Sequence, residues 1–145
     1  MPKVMKNLNN VSRAQAVFRA RRLPIEGLLP SHHSILLAVS RMQGSTQEQI
    51  AQDICLSKSA ASRALSQLEE RGYIKREEVK GDKRRFAVYL TEKAEGIIEE
   101  LRSVAGEWND IICSGISEAD MFVFEGVLSK MEKNARNAIQ SGGVS

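Results

Sequence analysis

Between residues 46 and 91 the side-chain pattern passes from a helical period to a period of two and back, an order of elements that few folds can hold. Thr46-Gln47-Glu48-Gln49 has the form of a capping box, in which the threonine hydroxyl and the glutamine side chain each satisfy an unbonded N–H of a starting helix. That helix is short, with Ile50, Ala51 and Ile54 as its core residues, and a turn at Cys55-Leu56 follows. Ser57 is a good N-cap for a second helix, and Gly72 a good stop after it. At helical spacing Ala61, Leu65 and Leu68 share one face of this second helix, while Ser59, Ser62, Arg63 and Ser66 fall on the other. Residues 73–79 then read as a strand and 85–90 as another, with Phe86, Val88 and Leu90 on one face. Lys80-Gly81-Asp82-Lys83-Arg84 is the predicted turn between them. Two strands alone are marginal, so the ribbon has to pack on helices.

Helices flank this segment. Residues 8–23 read as a first helix, with Leu8, Val11, Gln15 and Phe18 on one stripe and Arg13, Arg19, Arg21 and Arg22 around it, ended by Pro24. Pro30 opens a second, through residue 42, whose apolar set is Ile35, Leu36, Val39 and Met42. Beyond Thr91 the helical period returns in Ile97, Ile98, Leu101, Val104, Trp108, Ile111 and Ile112. Gly115 breaks it, and Ser117-Glu118-Ala119-Asp120 starts a last helix with Phe124, Val127, Leu128, Met131 and Ala135 expected to face inward. This last pair carries more apolar surface than a small domain needs, for which dimerisation is the economical explanation, and residues 141–145 are expected to be a frayed tail. The expected class is mainly α with a small β-hairpin.

Composition narrows the function. With 145 residues the chain is expected to be one domain with a real core. No apolar run approaches the roughly 20 residues that span a bilayer, and no signal-peptide pattern follows the first basic residues, so a cytoplasmic location and no membrane partner are expected. Positive charge is clustered: residues 1–22 carry +6 and 57–85 carry +4, against −2 for 23–56 and −5 for 86–145. Such clustering beside an acidic remainder is how a polyanion-binding face looks in sequence. A helix of short side chains, with a positive N-terminus, fits the DNA major groove, and cations in the hairpin turn suit phosphates or the minor groove. No Gly-rich phosphate loop, Ser/His/Asp spacing or metal set supports an enzyme, and no cofactor is expected.

Short helix, tight turn, capped polar helix and hairpin, in this order, resemble the MarR family of winged helix-turn-helix regulators over residues 8–139. The resemblance rests on Gly27-Leu28-Leu29-Pro30-Ser31-His32-His33-Ser34-Ile35-Leu36, Thr46-Gln47-Glu48-Gln49-Ile50-Ala51, Leu56-Ser57-Lys58-Ser59-Ala60-Ala61-Ser62-Arg63, Leu68-Glu69-Glu70-Arg71-Gly72-Tyr73-Ile74, Asp82-Lys83-Arg84 and Leu90-Thr91-Glu92-Lys93-Ala94. It implies a winged helix-turn-helix lobe at 28–90 and a helical dimerisation region made of 1–27 and 91–145. It also implies a homodimer on double-stranded DNA, its half-sites about one turn, roughly 34 Å, apart. The candidate DNA-binding residues are Ser57, Lys58, Ser59, Ala60, Ser62, Arg63 and Ser66 of the helix and Lys80, Lys83, Arg84 and Arg85 of the wing. By the same resemblance Asp82 orients the wing arginine, and the protein is expected to be a repressor released by a small aromatic or anionic effector whose site the sequence leaves unknown. Leu29 departs from the family, standing where many members have a capping threonine.

Two alternatives stay open. Oxidation at Cys55 or Cys113 would make a thiol-based, redox-responsive regulator, although buried, inert thiols are the expectation. A winged-helix protein-interaction module would show no salt-dependent DNA association. Two cysteines and two histidines at these spacings form no zinc pattern. His32 and His33 are expected as satisfied side chains at the surface or a helix start, with titration or a pocket lining as the alternative, and Trp108 in the core or a dimer interface.

Overall fold

The computed structural model describes residues 3–140. In chain order the elements are α1 (Val4–Arg22), α2 (Pro30–Arg41), α3 (Gln47–Asp53), α4 (Lys58–Glu70), β1 (Ile74–Val79), β2 (Asp82–Leu90), α5 (Glu92–Cys113) and α6 (Glu118–Gln140). The chain is mainly helical with one antiparallel hairpin. It divides into two compact units, Met1–Trp108 and Asn109–Ser145, a division that falls inside α5. The expected tail at 141–145 lies outside the described residues.

In the first unit, α1 starts four residues earlier than its apolar stripe suggests, because 4–7 contain no breaker and the Asn7 N–H bonds the Lys3 carbonyl at 3.0 Å. It stops at Leu23, which has left the helical region (φ −141°, ψ 72°), in keeping with the α conformation being disfavoured before Pro24. No residue of α1 is buried. α2 begins at Pro30 with no side-chain cap from Leu29; instead His32 Nδ1 accepts the Leu29 N–H at 3.1 Å.

The two short helices end alike. After α4 the Tyr73 N–H bonds the Leu68 carbonyl at 2.8 Å and the Gly72 N–H bonds Glu69 at 3.0 Å, a Schellman ending whose left-handed residue is Gly72 (φ +82°). After α3 the Leu56 N–H bonds Ala51 at 2.9 Å and Cys55 N–H bonds Gln52 at 3.3 Å, but here the left-handed residue is Cys55 (φ +54°). A side chain there costs about 1 kcal/mol that glycine avoids, part of it returned through glycine's more flexible unfolded state. Cys55→Gly is therefore expected to stabilise the protein by about 0.5 kcal/mol, read as a higher urea midpoint at unchanged m-value.

Leu36 and Val39 of α2, Ile50 of α3, Leu65 and Leu68 of α4, Val88 and Leu90 of β2, and Ile98 and Leu101 of α5 are buried in one core. The hairpin joins it through one face of each strand and gains a partner that the sequence pattern does not show. The Gly44 N–H bonds the Val88 carbonyl and the Val88 N–H bonds Ser45, each at 2.9 Å, and Thr46 bridges Ala87. Gly44 is needed there: a Cβ would sit 3.3 Å from the Tyr89 hydroxyl, and its φ is +85°. α1 is held to α5 by a paired ion contact, Arg22 to both Glu107 oxygens at 2.7 Å, and by the Phe18 and Trp108 rings 5.3 Å apart.

Several expectations are corrected. β2 starts at Asp82 rather than 85, so the turn proper is Lys80-Gly81 and the cations after it stand on an irregular strand. His32 and His33 do stand at a helix start but are not at the surface: they are buried, at 1 % and 2 % exposure, because the first turn of α2 runs under α4 and beside the end of α1. Cys55 is exposed rather than buried, since a left-handed helix stop lies at the surface; Cys113 is half-buried. In the second unit, Ser117 caps α6 through the Asp120 N–H at 3.1 Å, but no residue of α6 is buried. Phe124 and Val127, expected inward, are 47 % and 49 % exposed within one chain.

Candidate nucleic-acid interface

The Ser57 hydroxyl accepts the Ala60 N–H at 3.2 Å and fixes where α4 starts. With Ala61, Leu65 and Leu68 sealed in the core, Lys58, Ser59, Arg63 and Ser66 are exposed and Ala60 and Ser62 half-buried. Hydroxyls and small side chains dominate this face, so the backbone can come close to a partner.

On the wing, Glu78 pairs with Phe86 but Val79 pairs with Asp82, which leaves Lys83, Arg84 and Arg85 bulged out of the ladder. Bulges bend a strand and re-aim its side chains. The bulge is held by Asp82, whose Oδ1 accepts the Arg84 backbone N–H at 2.9 Å. Asp82 thus acts on the main chain of the arginine. Lys80, Lys83, Arg84 and Arg85 are all exposed.

Helix and wing meet at one place. Ser62, Arg84 and Arg85 share a cleft of about 170 Å³ with Thr46, Gln47 and Arg76. Ser57, Lys58, Ser59, Ala60, Arg63, Ser66, Lys80 and Lys83 do not line it. Arg76 escapes the sequence reading, and it is the most connected cation of the lobe. It donates to Gln47 at 3.1 Å, Ser66 at 3.2 Å and Glu69 at 3.0 Å, and its guanidinium lies 5.8 Å from the Phe86 ring centre. Its sequence signal is slight: a cation two residues after Ile74, on the strand face that should turn inward. The hydrogen bond from Arg76, helped by its charge, holds the Glu69 carboxyl below the usual carboxylate range against partial burial.

A second cavity of about 420 Å³, lined among others by Arg19, Leu23, Ile25, Leu28 and His33, lies where α1 meets α2. Arg19 donates to the Pro30 carbonyl at 3.3 Å and the Ser34 hydroxyl at 3.2 Å. Burial, and then the charges of Arg19 and His32, push His33 down to about 4, and its Nδ1 has no hydrogen-bond partner among the described residues. His32 is also lowered, chiefly by burial; with Nδ1 accepting from Leu29 and Nε2 facing the Gln67 oxygen at 3.1 Å, its neutral Nε2–H form is the one both partners fit. Among the described residues no His, Cys, Asp and Glu side chains group to hold a metal ion, and no helix is long and apolar enough to cross a membrane.

Residues 26–85 match the MarR family. The structure is similar to that of the transcriptional regulator SlyA, at 25% identity and a TM-score of 0.86, covering 94% of this chain and 96% of that one. It is similar to MarR at 26% identity and a TM-score of 0.81, covering 97% and 95%. A Listeria monocytogenes putative MarR family regulator complexed with 26mer DNA shares the fold at 20% identity and a TM-score of 0.89, covering 100% and 99%.

Proposed function

Starting from a chain whose residues 26–85 are MarR-family and whose fold is that of the MarR and SlyA transcriptional regulators, we propose that it binds DNA sequence-specifically as a homodimer and represses transcription until a small anionic or aromatic effector releases it. The observation that carries this is the convergence of Ser62 on α4 with Arg84 and Arg85 of the wing at one cleft, with the exposed Ser59, Arg63 and Ser66 on the same helix. The α4 residues read base edges in the major groove, Arg84 and Arg85 meet phosphates or the minor groove, and Asp82 holds the bulge that presents them. The DNA complex of the Listeria monocytogenes protein supports this assignment by fold. The exposed apolar side chains of α6, with Phe122 79 % exposed, support a second copy as their cover. The cavity lined by Arg19 among the apolar side chains of Leu23, Ile25 and Leu28 supports an effector with a negative charge and an apolar body. Such a ligand releases DNA only if it binds one spacing of the recognition helices better than the other.

The test is selection of duplexes from a random pool, followed by fluorescence anisotropy on the winner at two salt concentrations. Affinity is expected to fall steeply with salt. Arg84→Ala is expected to weaken binding about tenfold and to reduce the salt slope by about one per subunit. Unchanged affinity and slope would remove Arg84 from the interface, and no salt-dependent binding by the wild type would overturn the regulator assignment.

A further inference from the structure

We propose that Arg76 is a positioning residue for DNA binding: its guanidinium, bonded at once to Gln47 of α3 and to Ser66 and Glu69 of α4, fixes the angle at which the wing stands to the recognition helix. This rests on the DNA-binding assignment of α4 and the wing. The mechanical need for such a strut is plain from the hairpin's dimensions. Lys80 at the tip is four residues beyond Arg76, roughly 13 Å at about 3.3 Å per residue, so a tilt of about 10° at the base carries the tip roughly 2 Å. An error of that size separates a hydrogen bond from none.

The chemistry suits the task. Glu69 accepts twice from the same residue, Oε1 from the guanidinium at 3.0 Å and Oε2 from the Arg76 backbone N–H at 3.1 Å, so the carboxylate pins the strand as well as the side chain. A planar guanidinium donates in a rigid fork, so three partners on two helices set its orientation and not merely its distance. The side chain is only 18 % exposed, and Phe86 of the opposite strand lies against the guanidinium. Ser66 belongs to the candidate reading face, so the strut ties wing position to a residue that meets DNA. The lowered titration of Glu69 agrees with a persistent bond.

A Cys55→Ser, Cys113→Ser background with spin labels at Glu70→Cys and Lys80→Cys reports the α4-to-wing distance without DNA. Arg76→Gln is expected to broaden that distribution while the helical circular dichroism is kept. In the unlabelled protein the same change is expected to lower affinity for the selected duplex about tenfold. Affinity for a random duplex, and the salt slope, are expected to hold, because every exposed cation remains. Arg76→Lys, with one compact donor group, recovers part of the loss. Glu69→Gln, the variant to use if Arg76→Gln does not fold, moves both readouts the same way.

An unchanged distance distribution would overturn the proposal. So would equal losses on selected and random duplexes with a salt slope lower by about one, since Arg76 would then be a phosphate contact itself. Failure of the wild type to bind any duplex would sink the DNA-binding assignment instead, while the distance measurement would still decide whether Arg76 holds the wing.

Discussion

Leu65→Ala is expected to destabilise the protein by about 3 kcal/mol while leaving the DNA affinity of the folded molecule unchanged. Leu65 is fully buried on the core side of α4, in one cluster with Leu36, Ile50 and Leu68, whereas Ser66 beside it is exposed. Truncation removes the transfer energy of the lost atoms and leaves a cavity that helices fixed by their caps and by Arg76 cannot close. A loss of that size is a large part of the roughly 5–15 kcal/mol that holds a domain together. Urea unfolding should show a lower midpoint at constant m-value, and DNA titration well below that midpoint should superimpose on the wild type. A loss under about 1 kcal/mol would mean that α4 does not seal the core as described.

The second large effect is acid lability carried by His33. Its ordinary value of 6.5 is pushed to about 4 in the fold, so the unfolded chain takes up a proton that the folded one refuses. Stability contributed by the neutral imidazole is complete above pH 6.5 and is lost as pH falls toward 4, by about 2 kcal/mol at pH 5 and about 3 at the end of the window. His32, also lowered, adds loss in the same direction. His33→Gln, which cannot titrate, is expected to flatten the dependence of unfolding free energy on pH in this window by up to one proton. An equal slope in the variant and the wild type would show that His33 is not the responsible group.

Much of the fold was legible because it is local. The Thr46–Gln49 box, the Ser57 cap and the Gly72 stop are interactions within a few residues, and all are present as spacing alone suggests. Ala61, Leu65 and Leu68 follow from a period that one helix enforces on itself. Phe124 and Val127 show where such reasoning ends: periodicity identifies an apolar stripe but not what covers it, and within one chain these two side chains stay exposed while Leu128 and Met131 are half-buried. His32 and His33 do stand at the start of α2, but their burial has no signal in the sequence, since it comes from α4 and α1 and not from neighbours along the chain.

What the amino-acid order determined by itself is the succession of elements, their caps and the side of α4 left polar, because those depend on backbone geometry and contacts three or four residues long. Tertiary structure alone decided that Arg76 joins α3, α4 and β1 through one guanidinium, and that His33 is buried with a nitrogen that has no partner among the described residues. Each of these depends on the distance between segments far apart in the chain, and such distances are set by how the helices and hairpin pack, which side-chain spacing along one segment does not encode.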